Sequence, residues 1–150
     1  MKPRGTASTP MAGQRPDPAT RCILVVDDEP IAAEVAARAL KAAGYRTAEV
    51  HNAREALALL TNGELRFDLV VTDVVMPETD GRTLGRMIGE RYPELPVIYV
   101  SAYPGNDVFH RGSPDPLVPF LQKPFSPEAL LLMVRELLPD ASLTTRQRTE

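Results

Sequence analysis

The segment Val70–Met76 restricts the possible folds most, because it is an apolar, β-branched run with a single acid in its middle. Five of its seven residues are β-branched, which is typical of a strand buried inside a sheet. The acid is Asp73, and Pro77 directly after the segment indicates a turn beyond the strand. In open α/β sheets, the carboxyl ends of the strands carry the chemistry. Asp73 is therefore either a reactive carboxylate or the cap of the next helix, and this segment alone supports both interpretations.

Four further apolar runs have the length of strands. Cys22–Val26 is uninterrupted and is followed by three acids, and shorter or weaker runs occupy residues 45–51, 97–100 and 120–122. Continuous hydrophobicity predicts strands buried on both faces, as in a parallel sheet, with the third strand at residues 69–72. Strict alternation of strands with helical segments favours parallel strands joined by right-handed crossovers. The sequence therefore predicts an α/β fold, a doubly wound (βα)5 domain with a five-stranded parallel sheet.

Start and stop signals place the first three helices. The first spans about residues 30–43, because Pro30 suits a first helical turn and Gly44 suits a left-handed cap. Its predicted core face carries five apolar residues, Ile31, Val35, Ala39, Leu40 and Ala43. Asn52 and Glu55 have the spacing of a capping box, so the second helix begins near residue 53. A short third helix ends before Pro93.

The region after the fourth strand is irregular. Prolines and glycines interrupt residues 103–119, so a short helix near Asn106–Arg111 is the most that the pattern predicts. The last helix is clearer, since Ser126 can cap it and a proline suits its first turn, and it extends to about Leu138. On this helix, Leu132 points away from the core side. We therefore expect an irregular fourth helix and a regular fifth.

Composition indicates one domain with two tails. The chain has 150 residues, of which 43% are hydrophobic and 25% are charged, as is ordinary for a globular protein. Residues 1–20 are rich in proline and poor in large apolar side chains, which predicts a disordered tail. Residues 140–150 form a polar C-terminal tail. The predicted domain therefore covers residues 21–139, and we expect no separate output domain.

Charge and cysteine content restrict the partners and the compartment. A formal net charge of -3, without a basic patch, gives no general attraction to nucleic acid. No apolar run approaches the roughly 18 residues that span a bilayer, and the N-terminus lacks the apolar core of a signal peptide. Cys22 is the single cysteine, so no internal disulfide can form and a reducing compartment is the simplest interpretation. We therefore expect a cytoplasmic protein that binds neither nucleic acid nor membrane.

Five polar side chains follow the ends of four predicted strands. These residues are Asp27, Asp28, Asp73, Ser101 and Lys123. Each alone has a structural explanation as a cap, a turn residue or a surface lysine, but separate caps do not account for five groups at one sheet edge. Three carboxylates within a few ångströms of one another repel by about 4 kcal/mol per pair at an effective dielectric near 20. Lys123 and a hard divalent cation such as Mg²⁺ would offset this charge, which predicts phosphoryl transfer with a carboxylate as the nucleophile.

Four motifs occur in a fixed order along the chain, and together they are specific. They are Val25–Glu29, Thr72-Asp73 with Met76-Pro77 and Asp80-Gly81, Ser101-Ala102, and Lys123–Phe125. In their order and spacing, residues 22–138 resemble the receiver domain of bacterial two-component response regulators, of the stand-alone, single-domain type, which is similar to chemotaxis-type and hybrid-kinase receivers. The resemblance implies a flavodoxin-like sheet with the strand order 2-1-3-4-5.

The resemblance also implies a role for each polar residue at the strand ends. Asp73 would accept a phosphoryl group from a histidine kinase or a histidine phosphotransfer protein. Mg²⁺ would be bound by Asp27, Asp28, Asp73 and, through its backbone carbonyl, Val75. Lys123 would pair with a phosphoryl oxygen, and the peptide bond between Lys123 and Pro124 would be cis. Ser101 would rotate inward to hydrogen-bond the phosphoryl group, and Phe120 would be the coupled switch aromatic.

The leading hypothesis is a phosphoacceptor switch in a two-component system or phosphorelay. It would have no output domain of its own and would act on a downstream protein. It would not be an enzyme beyond self-phosphorylation from small donors and self-dephosphorylation. Val75 is apolar and cannot hold an attacking water by a hydrogen bond, so we expect a long-lived phosphoaspartate.

Two alternatives remain open. The first is a Mg²⁺-dependent phosphohydrolase with an aspartyl nucleophile, a class that places a second acid two residues after a nucleophile on the first strand. The pattern disfavours it, because Asp27 and Asp28 are adjacent here and Pro30 follows Glu29 directly. The second is a phosphorylation-independent protein-binding module on the same fold, which the complete set of acid, serine and lysine makes the weaker alternative.

Overall fold

The computed structural model describes residues 21–102 and 118–138. Within these ranges one sheet contains five strands, β1 Cys22–Val26, β2 Arg46–Val50, β3 Leu69–Asp73, β4 Val97–Ser101 and β5 Phe120–Gln122. The same ranges contain four helices, α1 Pro30–Ala42, α2 Ala53–Asn62, α3 Gly81–Arg91 and α4 Pro127–Leu137. The strand order is β2-β1-β3-β4-β5, and every neighbouring pair is parallel. The predicted doubly wound α/β fold and its strand order are therefore confirmed.

The central strands are buried on both faces, as their continuous apolar runs predict. Ile23 and Val25 of β1 belong to a cluster that includes residues of α1 and α4. Leu24 and Val26 belong to a second cluster, which includes residues of α2 and α3. Because successive side chains of a strand point to opposite faces, one apolar run supplies both layers of the core. Each fully buried Val, Leu or Ile stabilises the fold by about 1.5–3 kcal/mol, which holds β1 and β3 firmly at the centre.

The predicted core face of α1 is wrong in part. Ile31 and Val35 are 77% and 54% exposed. The residues of α1 that are buried are Ala33, Ala36, Ala37 and Leu40. These positions have the spacing of one helical stripe, and their small side chains let the helix lie close to the sheet. The prediction followed the larger β-branched residues, whereas the packing of this helix is made mostly by alanine.

Two predicted helix caps are present, one of them in a modified form. The side chain of Asn52 accepts a hydrogen bond from the Glu55 N–H at 2.8 Å, as the capping-box spacing predicts. The Glu55 carboxylate accepts in return from the N–H of His51 at 2.9 Å, one residue before the cap. At α4, Ser126 Oγ accepts from the Ala129 N–H at 3.0 Å. A hydrogen bond thus joins the first turn of α2 to His51, the first residue after β2.

The remaining predictions concern the two tails, the short helix at residues 106–111, an exposed leucine and membrane-spanning segments. The tails at residues 1–20 and 140–150 and the short helix at residues 106–111 lie outside the described residues. Leu132 is 59% exposed on α4, as predicted. None of the helices in residues 21–102 and 118–138 has the length and apolar content needed to cross a membrane.

Candidate phosphoryl-acceptor site

Asp27 and Asp73 lie side by side at the carboxyl edge of the sheet. Val26 of β1 is opposite Thr72 of β3, so the next residue along each chain is an aspartate. Both aspartates are buried, with 4% and 7% of their surface exposed, and Asp28 beside them is half-buried. One carboxylate oxygen from each of the three acids lies within 4.8 Å of the others. The structure thus brings the three predicted acids together.

Lys123 follows the edge strand β5, and its side chain reaches Asp27 and Asp73. Its Nζ lies 2.9 Å from Asp27 Oδ2 and 3.6 Å from Asp73 Oδ2. The backbone N–H of Lys123 donates to the carbonyl oxygen of Ser101 at 2.7 Å, which fixes the end of β5 against β4. The peptide bond between Lys123 and Pro124 is cis, as the resemblance implies. One ammonium therefore lies against two of the three carboxylates, and its closer partner is Asp27.

The turn after β3 leaves no room for a side chain at one position. The N–H of Gly81 donates to the carbonyl oxygen of Val74 at 2.7 Å. A Cβ atom added to Gly81 would clash with the carbonyl oxygen of Asp73. Asp80 caps α3 by accepting a hydrogen bond from the Thr83 N–H at 2.9 Å. The helix after β3 therefore has its own cap, and Asp73 is not needed for that purpose.

Burial and neighbouring charge shift the pKa values of the site. Burial, followed by repulsion from Asp27, raises the pKa of Asp73 to about 6, although Lys123 acts in the opposite direction. For Lys123, burial lowers the pKa, but the hydrogen bond and the charge of Asp27 outweigh this and raise it overall. Lys123 thus stays positively charged. Asp73 is mostly ionised at neutral pH, although burial and the neighbouring carboxylates disfavour its negative charge.

The three acids fit a divalent metal ion. Their carboxylate oxygens are close enough to act as ligands of one ion, and one lysine does not balance their charge. Oxygen ligands of this kind suit Mg²⁺, which takes one or two carboxylates and completes its shell with water and phosphoryl oxygens. The raised pKa of Asp73 also favours a metal site, because a nearby cation would lower that pKa by stabilising the ionised carboxylate. Asp27, Asp28 and Asp73 therefore form an acidic pocket able to bind a metal.

Ser101 adjoins this pocket, whereas Phe120 lies further from the carboxyl edge of the sheet. Asp73 is opposite Val100 of β4, so Ser101 is one residue beyond it, and Ser101 is fully buried. Phe120 begins β5 opposite Tyr99 and is partly buried. Ser101 is therefore next to the pocket, whereas Phe120 lies two residues further from the sheet edge. Their roles as switch residues stay predictions.

The sequence-based prediction of the site did not include His51. Its Nδ1 lies 3.0 Å from the backbone carbonyl oxygen of Asp27. The N–H of Asp27 donates to the carbonyl oxygen of Val50 at 3.1 Å. The position of His51 in the sequence could have indicated its place near the site, since it is the first residue after β2, which neighbours β1.

Comparison with known proteins gives a single family. A family model described as the response regulator receiver domain matches residues 23–135. The sensor kinase CckA of Brucella abortus is 40% identical over 117 residues, which is 77% of this chain and 12% of that relative. The two-component response regulator ARR2 of Arabidopsis thaliana is 38% identical over 130 residues, 85% of this chain and 19% of ARR2. The chain thus spans less than a quarter of the length of these curated relatives.

Solved structures agree with this result. A response regulator receiver protein from Sinorhizobium medicae has a TM-score of 0.69 and 31% identity, covering 79% of this chain and 94% of that one. The response regulator TrrA of Thermotoga maritima, solved in complex with Mg²⁺ and BeF, has a TM-score of 0.68 and 28% identity, covering 78% and 98%. From the match over residues 23–135 and this common fold, the chain belongs to the response regulator receiver domain family.

Proposed function

We propose that this protein is a phosphoacceptor switch of a two-component system or phosphorelay and that Asp73 receives the phosphoryl group. One observation carries the proposal. The buried Asp73 has a carboxylate oxygen within 4.8 Å of two further acids, and its Oδ2 is 3.6 Å from the ammonium of Lys123. A helix cap or a structural ion pair requires no such convergence of charge. Membership of a family of phosphoacceptor signalling domains supports the same function.

In the proposed transfer, a carboxylate oxygen of Asp73 forms a bond to phosphorus while the bond from phosphorus to the donor histidine nitrogen breaks. The donor imidazole leaves with the electron pair of the broken bond. The attacking carboxylate must be ionised, and a pKa of about 6 leaves it mostly ionised at neutral pH. The ammonium of Lys123 stabilises charge on the transferring group.

Mg²⁺ would add further positive charge beside the phosphoryl oxygens. In this proposal Asp27, Asp28, Asp73 and the backbone carbonyl of Val75 hold the ion. After transfer, the hydroxyl of Ser101 turns toward the phosphoryl group and Phe120 follows it, which changes the surface offered to a downstream protein.

The donor in this proposal is a histidine kinase or a histidine phosphotransfer protein. The similarity to CckA, a sensor kinase, supports a partner of this class. TrrA, one of the similar proteins of known structure, is complexed with Mg²⁺ and BeF, which supports Mg²⁺ as the metal here.

The test is incubation with acetyl phosphate and Mg²⁺, followed by intact-mass measurement. The wild-type protein is expected to gain the mass of one phosphoryl group, and the isosteric variant Asp73→Asn is expected to gain none. A wild-type protein that stays unmodified, or equal labelling of both proteins, would contradict the proposal. Many turnovers of released inorganic phosphate per protein molecule would instead favour the phosphohydrolase alternative.

The side chain two residues after Asp73 is expected to set the lifetime of the phosphoaspartate. Val75 is exposed and apolar, so it offers no hydrogen bond to a water that attacks the phosphoryl group. In Val75→Asn, an amide at this position is expected to hold that water and to speed dephosphorylation by up to about tenfold, because a hydrogen bond between neutral groups contributes about 0.5–1.5 kcal/mol. Loss of the phosphoryl mass with time measures this rate. Val75→Leu is the matched apolar control, and equal rates for the Asn and Leu variants would refute the explanation.

A further inference from the structure

The backbone N–H and the backbone carbonyl of Asp27 both form hydrogen bonds with residues at the end of β2 or directly after it. Its N–H donates to the carbonyl oxygen of Val50, which continues the parallel ladder between β1 and β2. The chain leaves the sheet after Val50, so the regular ladder ends there. The carbonyl oxygen of Asp27 bonds instead to a side chain, His51, whose Nδ1 lies 3.0 Å away. A carbonyl oxygen only accepts hydrogen bonds, so the Nδ1 of His51 must carry the hydrogen.

This bond orients the peptide plane that joins Asp27 to Asp28. The direction of the Asp28 side chain depends on that plane, because the plane fixes the backbone from which the side chain starts. The Asp27 carboxylate is fixed separately, since Oδ1 accepts from the Glu29 N–H at 3.0 Å and Oδ2 from Lys123 Nζ at 2.9 Å. His51 therefore acts on the backbone between the two acids rather than on either carboxylate.

His51 is itself held in place by α2. The N–H of His51 donates to Glu55 Oε1 at 2.9 Å, and the N–H of Glu55 donates to Asn52 Oδ1 at 2.8 Å. The shifted capping box thus joins the first turn of α2 to His51, and His51 to the acidic pocket. A chain of hydrogen bonds with both ends anchored in regular structure is more rigid than an isolated contact.

We propose that His51 is a positioning residue, which holds the Asp27-Asp28 peptide so that the Asp28 carboxylate points at the metal ion that it would share with Asp27 and Asp73. The inference rests on the proposed function, since it concerns the Mg²⁺ that phosphoryl transfer would use. Groups that orient metal ligands typically affect metal affinity by about 10–100-fold. His51 therefore contributes to Mg²⁺ affinity without touching the metal.

The test compares two variants of nearly equal shape. In His51→Asn, the side-chain N–H₂ is as far from the backbone as Nδ1 of histidine and can donate the same hydrogen bond. His51→Leu has a branched side chain of similar size and no donor. Mg²⁺ affinity is measured by isothermal titration calorimetry on the full chain, and thermal unfolding in EDTA reports on the fold without metal.

The expected result is Mg²⁺ binding about tenfold weaker in His51→Leu and close to wild type in His51→Asn. Phosphorylation of His51→Leu by acetyl phosphate is then slow at low Mg²⁺ and recovers at high Mg²⁺. If His51→Leu unfolds at a lower temperature but binds Mg²⁺ as wild type does, His51 is only structural and the inference is overturned. Equal weakening in both variants overturns it as well. A wild-type protein that binds no Mg²⁺ contradicts the proposed function itself, so the two failures are distinguishable.

Discussion

Replacing Lys123 with methionine is expected to slow phosphorylation of Asp73 by acetyl phosphate by about 100-fold or more, the usual effect of removing one preorganised charge-stabilising group. Two causes act together. The ammonium that lies 3.6 Å from Asp73 Oδ2 is lost, so the transferring group is less well neutralised. The pKa of Asp73 also rises further, because the charge of Lys123 lowers it in the wild-type protein, and less of the carboxylate is ionised at neutral pH.

The measurement for Lys123→Met is the initial rate of phosphoryl incorporation at saturating Mg²⁺ and pH 8 or above, where Asp73 is ionised in both proteins. A rate deficit that persists there isolates the contribution of the ammonium. Arg38→Met is the matched control for lost charge, because Arg38 forms an exposed ion pair with Glu34 on α1. Equal rates for Lys123→Met and wild type would show that Lys123 is a structural residue.

The variant Asp73→Asn is expected to be more stable than the wild-type protein at pH 7 without metal, by about 1–3 kcal/mol for a pKa difference of about two units. The pKa of Asp73 is about 6 in the folded protein and 3.8 in the reference state. Between these values the folded state binds more protons than the unfolded state, so the contribution of Asp73 to stability falls as the pH rises from 4 to 6. Above pH 6 the full penalty is present in the wild-type protein and absent from the variant.

Urea unfolding in EDTA at pH 4 and pH 7 measures this effect. The variant and the wild type should have similar unfolding free energies at pH 4 and should differ at pH 7. Saturating Mg²⁺ should reduce the difference, because the ion offsets the same repulsion. A difference that is the same at both pH values would mean that the substitution acts through packing and not through the charge of Asp73.

Most of the fold follows from local features of the sequence. The runs that form β1 and β3 are continuous and β-branched, which predicts strands buried on both faces of a parallel sheet. Their ends were predictable because parallel strands place their carboxyl ends at one edge, which brings Asp27 next to Asp73. Signals such as Asn52 and Ser126 are local too, since a cap depends on only three or four residues.

Features that depend on distances between elements were not predictable. The sheet-facing stripe of α1 is made mostly of alanine, and its identity depends on how closely the helix approaches the sheet. Sequence periodicity cannot distinguish this stripe from the adjacent one that carries Ile31 and Val35. The bond from His51 to Asp27 likewise joins residues 24 positions apart, and only the pairing of β1 with β2 brings them together.

The two outer strands of the sheet also bear on how the protein resists aggregation. An edge strand presents unpaired backbone groups that can pair with another molecule, and short or charged edges discourage this. The edge strand β5 has only three residues and is followed at once by Lys123 and Pro124. The other edge, β2, exposes the charged residues Arg46 and Glu49 to solvent. Within residues 21–102 and 118–138, both edges of the sheet are therefore poor templates for adding a strand from a second molecule.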